Sequence, residues 1–146
     1  MSSDKQAVLG PNQGIIASVL LQMSWLDHLK SEHFDPDALW NRVYGDVTLL
    51  RELVDLFAAE VSQMLARIEK AIKDNSPADL ENAGHKIKGS MLQFSAHAAA
   101  NIALELEKCG RTGSMAGTGN LLLKLRQEIS ELQQTLRAMV RNGAPH

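Results

Sequence analysis

The longest apolar pattern in the chain lies between residues 47 and 72, where apolar side chains recur at steps of three and four. Its members are Val47, Leu50, Val54, Phe57, Val61, Met64, Ile68 and Ile72. This spacing places one continuous apolar stripe along a single long helix. Because such a stripe must be covered, the pattern constrains the chain to a fold in which helices pack on one another.

Three later segments repeat the helical spacing and are separated by turn signals. Their apolar members are Leu80, Ala83, Ile87, Met91 and Phe94 in the first, Ala98, Ile102, Leu106 and Cys109 in the second, and Leu122, Leu125, Ile129, Leu132, Leu136 and Met139 in the third. Ser76 and Pro77 are typical of a helix start, and we expect Gly110 to end the second of these helices. No alternating strand pattern of useful length occurs, so we predict an all-α fold, an antiparallel up-down four-helix bundle.

The region before the bundle carries further helical signals. Residues 1–14 show little pattern and are interpreted as a leader. Residues 15–31 carry apolar side chains at helical spacing, and Pro36 directly follows an aspartate that can cap a short helix. We therefore predict additional N-terminal helices and a division of the chain into residues 1–33, with the leader and the extra helix, and residues 34–142, with the bundle domain.

The composition argues against several classes of protein. A formal net charge of -2 over 146 residues argues against a nucleic-acid-binding protein, which normally carries a surplus of basic residues. The single cysteine, Cys109, excludes a disulfide framework and fits a reducing compartment. The apolar segment that begins at Ile15 is interrupted by polar side chains and is too short to span a bilayer of about 30 Å. We therefore expect a cytoplasmic protein without membrane insertion. The sequence leaves its oligomeric state unknown, and a monomer is the favoured state.

A histidine stands in the middle of the second predicted bundle helix, in the segment AGHKIKGS. With a turn of about 100° per residue, His85 points away from the apolar side, and Lys88 and Gly89 flank it on the outer face. Gly89 removes side-chain bulk where an incoming group would approach, and the Lys88 ammonium would stabilise a phosphoryl group on the imidazole. An outward histidine by itself is usually an ordinary surface residue, so the prediction rests on the combination.

Three segments of the chain together carry a family resemblance. They are AGHKIKGSMLQFSA around the histidine, FDPDALWNRVYGDVTLLRELVDLF before it and LELEKCGRTG after it. The first resembles the signature of the histidine-containing phosphotransfer (HPt) domain family, in which a lysine-glycine-serine run follows the phosphoacceptor histidine. The other two are similar to the helices on either side of that signature. The resemblance covers about residues 34–140 and implies the fold of that family, a helical bundle.

The resemblance implies roles for residues on the outer face of the histidine helix. His85 is the implied phosphoacceptor, with Lys88 neutralising phosphoryl charge and Gly89 leaving space for the incoming group. The residues expected to bind a receiver domain are Glu81, Lys86, Ser90, Leu92 and Gln93. Among them, Leu92 is an apolar side chain on an exposed face, which is typical of a docking surface.

The reaction implied by the resemblance is reversible transfer of a phosphoryl group between a receiver-domain aspartate and His85. The implied partners are response-regulator receiver domains and a hybrid sensor histidine kinase. The chain contains no P-loop, no glycine-rich kinase loop and no nucleotide-binding fingerprint, so we expect a carrier without a kinase site of its own. We expect no cofactor of its own and no metal site, and the Mg²⁺ that phosphoryl transfer needs would come from the receiver.

Two other functions fit the same sequence. In the first, the bundle is a non-catalytic helical adaptor for a receiver or a sensor kinase, and His85 is an ordinary surface residue. In the second, the chain is the phosphotransfer domain of a chemotaxis-type kinase, which would phosphorylate it with ATP. The sequence leaves open the cognate receiver and kinase, the direction of phosphoryl flow, and whether the domain belongs to a hybrid kinase.

Overall fold

The computed structural model describes residues 34–143, and the regular secondary structure within this range is entirely helical. The helices of this range are α1 (Pro36–Arg42), α2 (Val47–Lys73), α3 (Pro77–Gln93), α4 (His97–Thr112) and α5 (Thr118–Asn142). Helices α2 to α5 form a bundle in which α3 packs on α2 and α4, and α5 packs on α4 and α2. The predicted all-α helical bundle is confirmed, whereas the predicted leader and the predicted helix at 15–31 lie outside the described residues.

The short connections between the bundle helices make successive helices antiparallel. Phe57 in the first half of the longer helix α2 therefore meets Phe94 just after the end of α3, with ring centroids 4.6 Å apart. Across the described helices, none is long and apolar enough to cross a membrane.

Aspartate side chains cap the first two helices, and a proline starts the third. The backbone N–H of Ala38 donates to Asp35 Oδ1 over 3.1 Å, and that of Thr48 donates to Asp46 Oδ1 over 2.9 Å. Each of these bonds satisfies one of the amide groups that a helix start leaves without an intrahelical partner. Ser76 occupies the predicted capping position of α3, but its side chain makes no capping hydrogen bond. Pro77 begins that helix, because its missing N–H needs no partner there.

The predicted stripe of α2 supplies a large part of the bundle core. Its central members are buried, and Ile68 is fully enclosed, while Val47 and Ile72 at its two ends are partly buried. Trp40 is also buried, so it anchors α1 on the end of the bundle as a packing residue. On α3, Ile87 and Met91 are buried as the spacing predicts. A helix bundle of this kind is stabilised mainly by such apolar burial rather than by helix propensity.

Helix α4 differs from the sequence prediction in both its end and its buried face. It continues through Gly110 to Thr112, and Gly113 ends it with a φ of 77°, a left-handed conformation that glycine adopts without strain. Its buried members are Ala99, Ala100, Ala103, Leu106, Glu107 and Gly110. The predicted members Ala98, Ile102 and Cys109 are only partly buried. The side of α4 that is most deeply covered therefore consists largely of small residues, with one carboxylate among them.

The small residues of α3 and α4 allow the two helix backbones to approach closely. A Cβ atom added to Gly84 would lie 2.9 Å from the backbone nitrogen of Glu107. One added to Gly110 would lie 2.4 Å from the backbone nitrogen of Glu81 and 2.6 Å from the carbonyl oxygen of Pro77. A side chain at either glycine would collide with backbone atoms of the facing helix. The close approach accounts for the burial of Gly84 in place of the predicted Ala83, and it brings Glu107 beside the histidine of α3.

Candidate functional site

His85 lies near the middle of α3 on the face that points away from the core, and its side chain is 69% exposed. One edge of the ring is nevertheless held by the neighbouring helix, because Nδ1 lies 3.2 Å from Glu107 Oε2. The imidazole therefore has one nitrogen fixed against α4 and its other nitrogen, Nε2, at the exposed edge of the ring.

Glu107 is the centre of the charged groups around this ring. Its carboxylate is 6% exposed and belongs to α4. The Lys88 ammonium lies 2.8 Å from Oε1, and the Arg111 guanidinium donates through Nη2 to Oε2 over 2.9 Å. No described residue gives Oε1 a hydrogen bond of regular geometry, so Lys88 acts as its counter-charge. A carboxylate in so enclosed a place stays ionised only because it is paired.

The pairing changes the titration of Glu107. The contact with Lys88 is the largest influence and lowers the pKa of Glu107, burial acts in the opposite direction, and the hydrogen bond from His85 lowers it further. The net pKa lies below the ordinary value for a glutamate. Glu107 is therefore a carboxylate throughout the physiological pH range.

The lowered pKa predicts how the stability contributed by Glu107 depends on pH. Because the folded state holds the proton less tightly than the unfolded state, this contribution is fully present above the ordinary glutamate pKa and is lost as pH falls through the lowered one. We expect Glu107→Gln to unfold more easily than the wild type at pH 7, by about 2 kcal/mol. Urea unfolding at successive pH values should show the difference closing only below the ordinary glutamate pKa.

Glu105→Gln is the matched control for that titration, because Glu105 is exposed on the same helix. It should unfold like the wild type at every pH. A difference between Glu107→Gln and the wild type that closed already near neutral pH would contradict a lowered pKa for Glu107.

The hydrogen bond to Glu107 also determines which ring nitrogen of His85 can react. An ionised carboxylate only accepts hydrogen bonds, so in the hydrogen-bonded neutral ring the hydrogen resides on Nδ1. Nε2 then carries an unprotonated lone pair at the exposed edge of the ring. A neutral imidazole in this tautomer is a nucleophile at Nε2, and the carboxylate stabilises the positive charge that the ring acquires when Nε2 forms a bond.

The structure places three of the predicted site residues close to His85, and these are Lys88, Gly89 and Glu81. Lys88 is 23% exposed and is directed to Glu107, so its ammonium reaches the imidazole through a shared carboxylate rather than directly. A Cβ atom at Gly89 would meet nothing within 4 Å, so the space beside the ring is open. Glu81, one turn before the histidine, accepts a hydrogen bond from Arg111 Nε over 3.3 Å.

The other predicted docking residues lie in two places on α3. Three of them are on the exposed face, and the fourth contacts α2. Lys86 and Gln93 are exposed, and Leu92 is 47% exposed near the end of α3. Ser90 is partly buried, and its hydroxyl is directed to the sulfur of Met64 at 3.8 Å, away from the histidine. Ser90 is therefore a contact between α2 and α3 rather than a neighbour of the imidazole.

The end of α3 is also fastened to the helix that precedes the bundle. Arg42 donates through Nη1 to the carbonyl oxygens of Leu92 and Gln93. The last carbonyl groups of a helix have no intrahelical partner, so a cation there stabilises the helix end. The exposed face that carries Leu92 is thus held in place by α1.

Sequence reasoning missed Glu107 and Arg111, the two residues that α4 contributes to the surroundings of His85. A signal was present in the spacing, since Glu107 follows Ala103 by four residues and precedes Gly110 by three. A lone acid in a row of small residues indicates a carboxylate that faces a neighbouring helix.

Within residues 34–143, no group of three metal-ligating side chains lies close enough to hold a metal ion.

A helical bundle that exposes a hydrogen-bonded imidazole in the middle of one helix has the features of a histidine phosphoacceptor domain. The model of the Hpt domain family matches residues 52–135, and the chain belongs to this family. Its domains carry out histidine phosphotransfer in two-component signalling.

A solved structure shows the same fold. The crystal structure of histidine-containing phosphotransfer protein B (HptB) from Pseudomonas aeruginosa PAO1 aligns with a TM-score of 0.71 and 19% sequence identity. The alignment covers 77% of this chain and 97% of that one. Among curated proteins, no sequence matches this chain.

Proposed function

We propose that this protein relays a phosphoryl group between the aspartates of receiver domains through a phosphohistidine at His85. The observation that carries the proposal is the hydrogen bond between His85 Nδ1 and Glu107 Oε2, 3.2 Å long, on a ring that is otherwise exposed. This arrangement supports reaction at Nε2, because it fixes both the tautomer and the orientation of the ring.

In the proposed step, the Nε2 lone pair forms a bond to phosphorus while the bond from phosphorus to the receiver aspartate oxygen breaks. The electron pair of the broken bond leaves with the aspartate carboxylate. The Nδ1 hydrogen stays in its bond to Glu107, whose negative charge offsets the positive charge of the phosphorylated ring. The reverse step returns the phosphoryl group to the aspartate of a second receiver.

The receiver would supply the metal ion and the acidic pocket for the transfer. Phosphoryl transfer depends on in-line positioning and on neutralising the charge of the moving group. Lys88 and Arg111 provide positive charge on one side of His85, and an acidic receiver pocket with Mg²⁺ would complete the site. We propose that the chain does this as a cytoplasmic carrier between receivers and a hybrid sensor histidine kinase.

The surface around His85 supports the docking of a receiver. Leu92 offers exposed apolar area, Lys86 and Gln93 offer exposed polar groups, and Gly89 leaves space beside the ring. An apolar contact with a polar rim is the usual composition of a transient protein interface.

We expect a phosphorylated receiver domain with Mg²⁺ to transfer an acid-labile phosphoryl group to the wild type and none to His85→Gln. The reason is that glutamine has no ring nitrogen to form the bond to phosphorus. His97→Gln is the matched control, because His97 is also exposed but lies at the start of α4. The label is followed by its stability in alkali and its loss in acid.

Two results would overturn the relay. One is the absence of transfer to the wild type from several active receivers, which would leave the non-catalytic adaptor as the better description. The other is undiminished labelling of His85→Gln. Labelling by a chemotaxis-type kinase with ATP, but by no receiver, would assign the domain to such a kinase instead.

A further inference from the structure

Arg111 connects carboxylates of two helices directly beside the histidine. Its Nε donates to Glu81 Oε2 on α3 over 3.3 Å, and its Nη2 donates to Glu107 Oε2 on α4 over 2.9 Å. The second of these oxygens is also the acceptor of His85 Nδ1. The guanidinium and the imidazole therefore share one carboxylate oxygen and are immediate neighbours.

Phosphorylation would upset the balance of charge in this cluster. The carboxylates of Glu81 and Glu107 are matched by the cations of Lys88 and Arg111. A phosphoryl group brings roughly two further negative charges at neutral pH. Since two carboxylates already face this region, a cation that turned towards the phosphohistidine would offset the added charge.

Lys88 and Arg111 differ in what their displacement would cost. Lys88 is mostly covered and is the counter-charge of Glu107 Oε1, so its departure would leave a buried carboxylate oxygen without a partner. Arg111 is 53% exposed, and His85 also donates to the Glu107 oxygen that it contacts. Its other partner, Glu81, is partly exposed and can be hydrated in its place. Arg111 is therefore the more easily displaced of the two cations.

We propose that Arg111 exchanges Glu81 for the phosphoryl group when His85 is phosphorylated, and that this exchange sets the lifetime of the phosphohistidine. The inference rests on the proposed function and adds a second cation to it. This cation belongs to α4 and is paired with Glu81 until His85 is phosphorylated. A guanidinium suits this role because it presents several donors in one plane to phosphoryl oxygens.

The direction of the effect follows from the transition state of hydrolysis. In hydrolysis through a loose, metaphosphate-like transition state, the bond from phosphorus to Nε2 is largely broken and its electron pair has moved to the ring. The phosphoryl oxygens then share about one negative charge, whereas those of the phosphohistidine share roughly two. A cation on these oxygens therefore stabilises the phosphohistidine more than the transition state. Contact with Arg111 lengthens the lifetime, and Glu81, which competes for Arg111, shortens it.

The test phosphorylates the full chain with phosphoramidate, which gives its phosphoryl group to Nε2 as its own nitrogen–phosphorus bond breaks and ammonia leaves. After removal of the donor, ³¹P NMR follows the decay of the phosphohistidine at neutral pH. We expect Arg111→Gln to shorten its half-life about fivefold, Arg111→Lys to restore part of the loss, and Glu81→Gln to lengthen the half-life. Circular dichroism confirms that each variant is folded.

Arg126→Gln is the matched control, since Arg126 pairs with Glu69 across α2 and α5 over 3.0 Å. It should leave the half-life unchanged. The Nε–H resonance of Arg111, but not that of Arg126, should shift when His85 is phosphorylated. This shift reports the exchange directly, which a merely structural pairing would not produce.

The outcomes separate this inference from the function on which it rests. If neither phosphoramidate nor any receiver phosphorylates the wild type, the proposed function fails and the inference with it. If the wild type is phosphorylated but Arg111→Gln decays at the wild-type rate, only the role of Arg111 is overturned. If Glu81→Gln shortens the half-life as Arg111→Gln does, the pair is a structural bridge and the exchange is wrong.

Discussion

Glu107→Ala should slow the phosphorylation of His85 by roughly 10- to 100-fold, the loss known for removing the carboxylate that orients a metal-binding histidine. Without the carboxylate, His85 Nδ1 loses its acceptor, so the ring can rotate and can place its hydrogen on Nε2 instead. The positive charge that develops on the ring also loses its counter-charge. The initial rate of labelling by phosphoramidate measures the effect without any contribution from receiver docking.

Two further measurements distinguish a loss of orientation of the His85 ring from a general disturbance of the fold. Glu107→Gln should fall between the alanine variant and the wild type, because its amide oxygen can still accept from Nδ1–H. The ¹⁵N chemical shifts of His85 should show more Nε2–H tautomer in Glu107→Ala than in the wild type. Glu105→Gln, on an exposed position of the same helix, should match the wild type in both measurements. A folded Glu107→Ala protein that is labelled at the wild-type rate would refute the role of Glu107.

Gly110→Ala should destabilise the bundle by about 3 kcal/mol, because overpacking at this point cannot be relieved by moving a side chain. The added Cβ would lie 2.4 Å from the nitrogen of Glu81 and 2.6 Å from the oxygen of Pro77, both of them backbone atoms. Helices α3 and α4 would have to separate, which removes contacts along their whole interface. For a domain of this size, the change lowers the Tm by on the order of 10 °C.

Gly89→Ala should have the opposite effect on stability, because Gly89 is an exposed glycine that contacts no neighbouring helix. A Cβ there meets nothing within 4 Å, so the substitution should stabilise the helix by up to about 1 kcal/mol. Thermal unfolding of both variants beside the wild type tests the pair. Gly110→Ala with an unchanged Tm would show that the two helices are not in backbone contact.

The same variants test whether the packing of α3 on α4 affects the phosphorylation of His85. Because the approach of α3 and α4 brings Glu107 to His85, the remaining folded fraction of Gly110→Ala should also be labelled more slowly by phosphoramidate. Gly89→Ala should still be labelled at the wild-type rate by phosphoramidate, because this donor is small. Transfer from a receiver should be slower, because the receiver is larger and the added methyl group occupies part of the space beside the ring. The two glycines of the region thus serve different purposes, contact between helices and access to the ring.

Much of the fold could be predicted from local patterns. The stripe of α2, the aspartate before Pro36 and the proline at the start of α3 act over a few residues, and all three are found in the structure. The prediction that Gly110 ends α4 was wrong because a glycine can mark either a helix end or a close contact between helices. Its neighbour Gly113, with a φ of 77°, is the residue that ends the helix.

The sequence alone determined that His85 points outwards from a helix with Lys88 and Gly89 beside it, because these positions depend only on the helical repeat. The tertiary structure decided what the imidazole contacts. Glu107 lies 22 residues further along the chain, and it reaches the ring only because α3 and α4 meet backbone to backbone at Gly84 and Gly110. A helical repeat cannot specify which face of another helix lies opposite, since that depends on how closely the two backbones can pack.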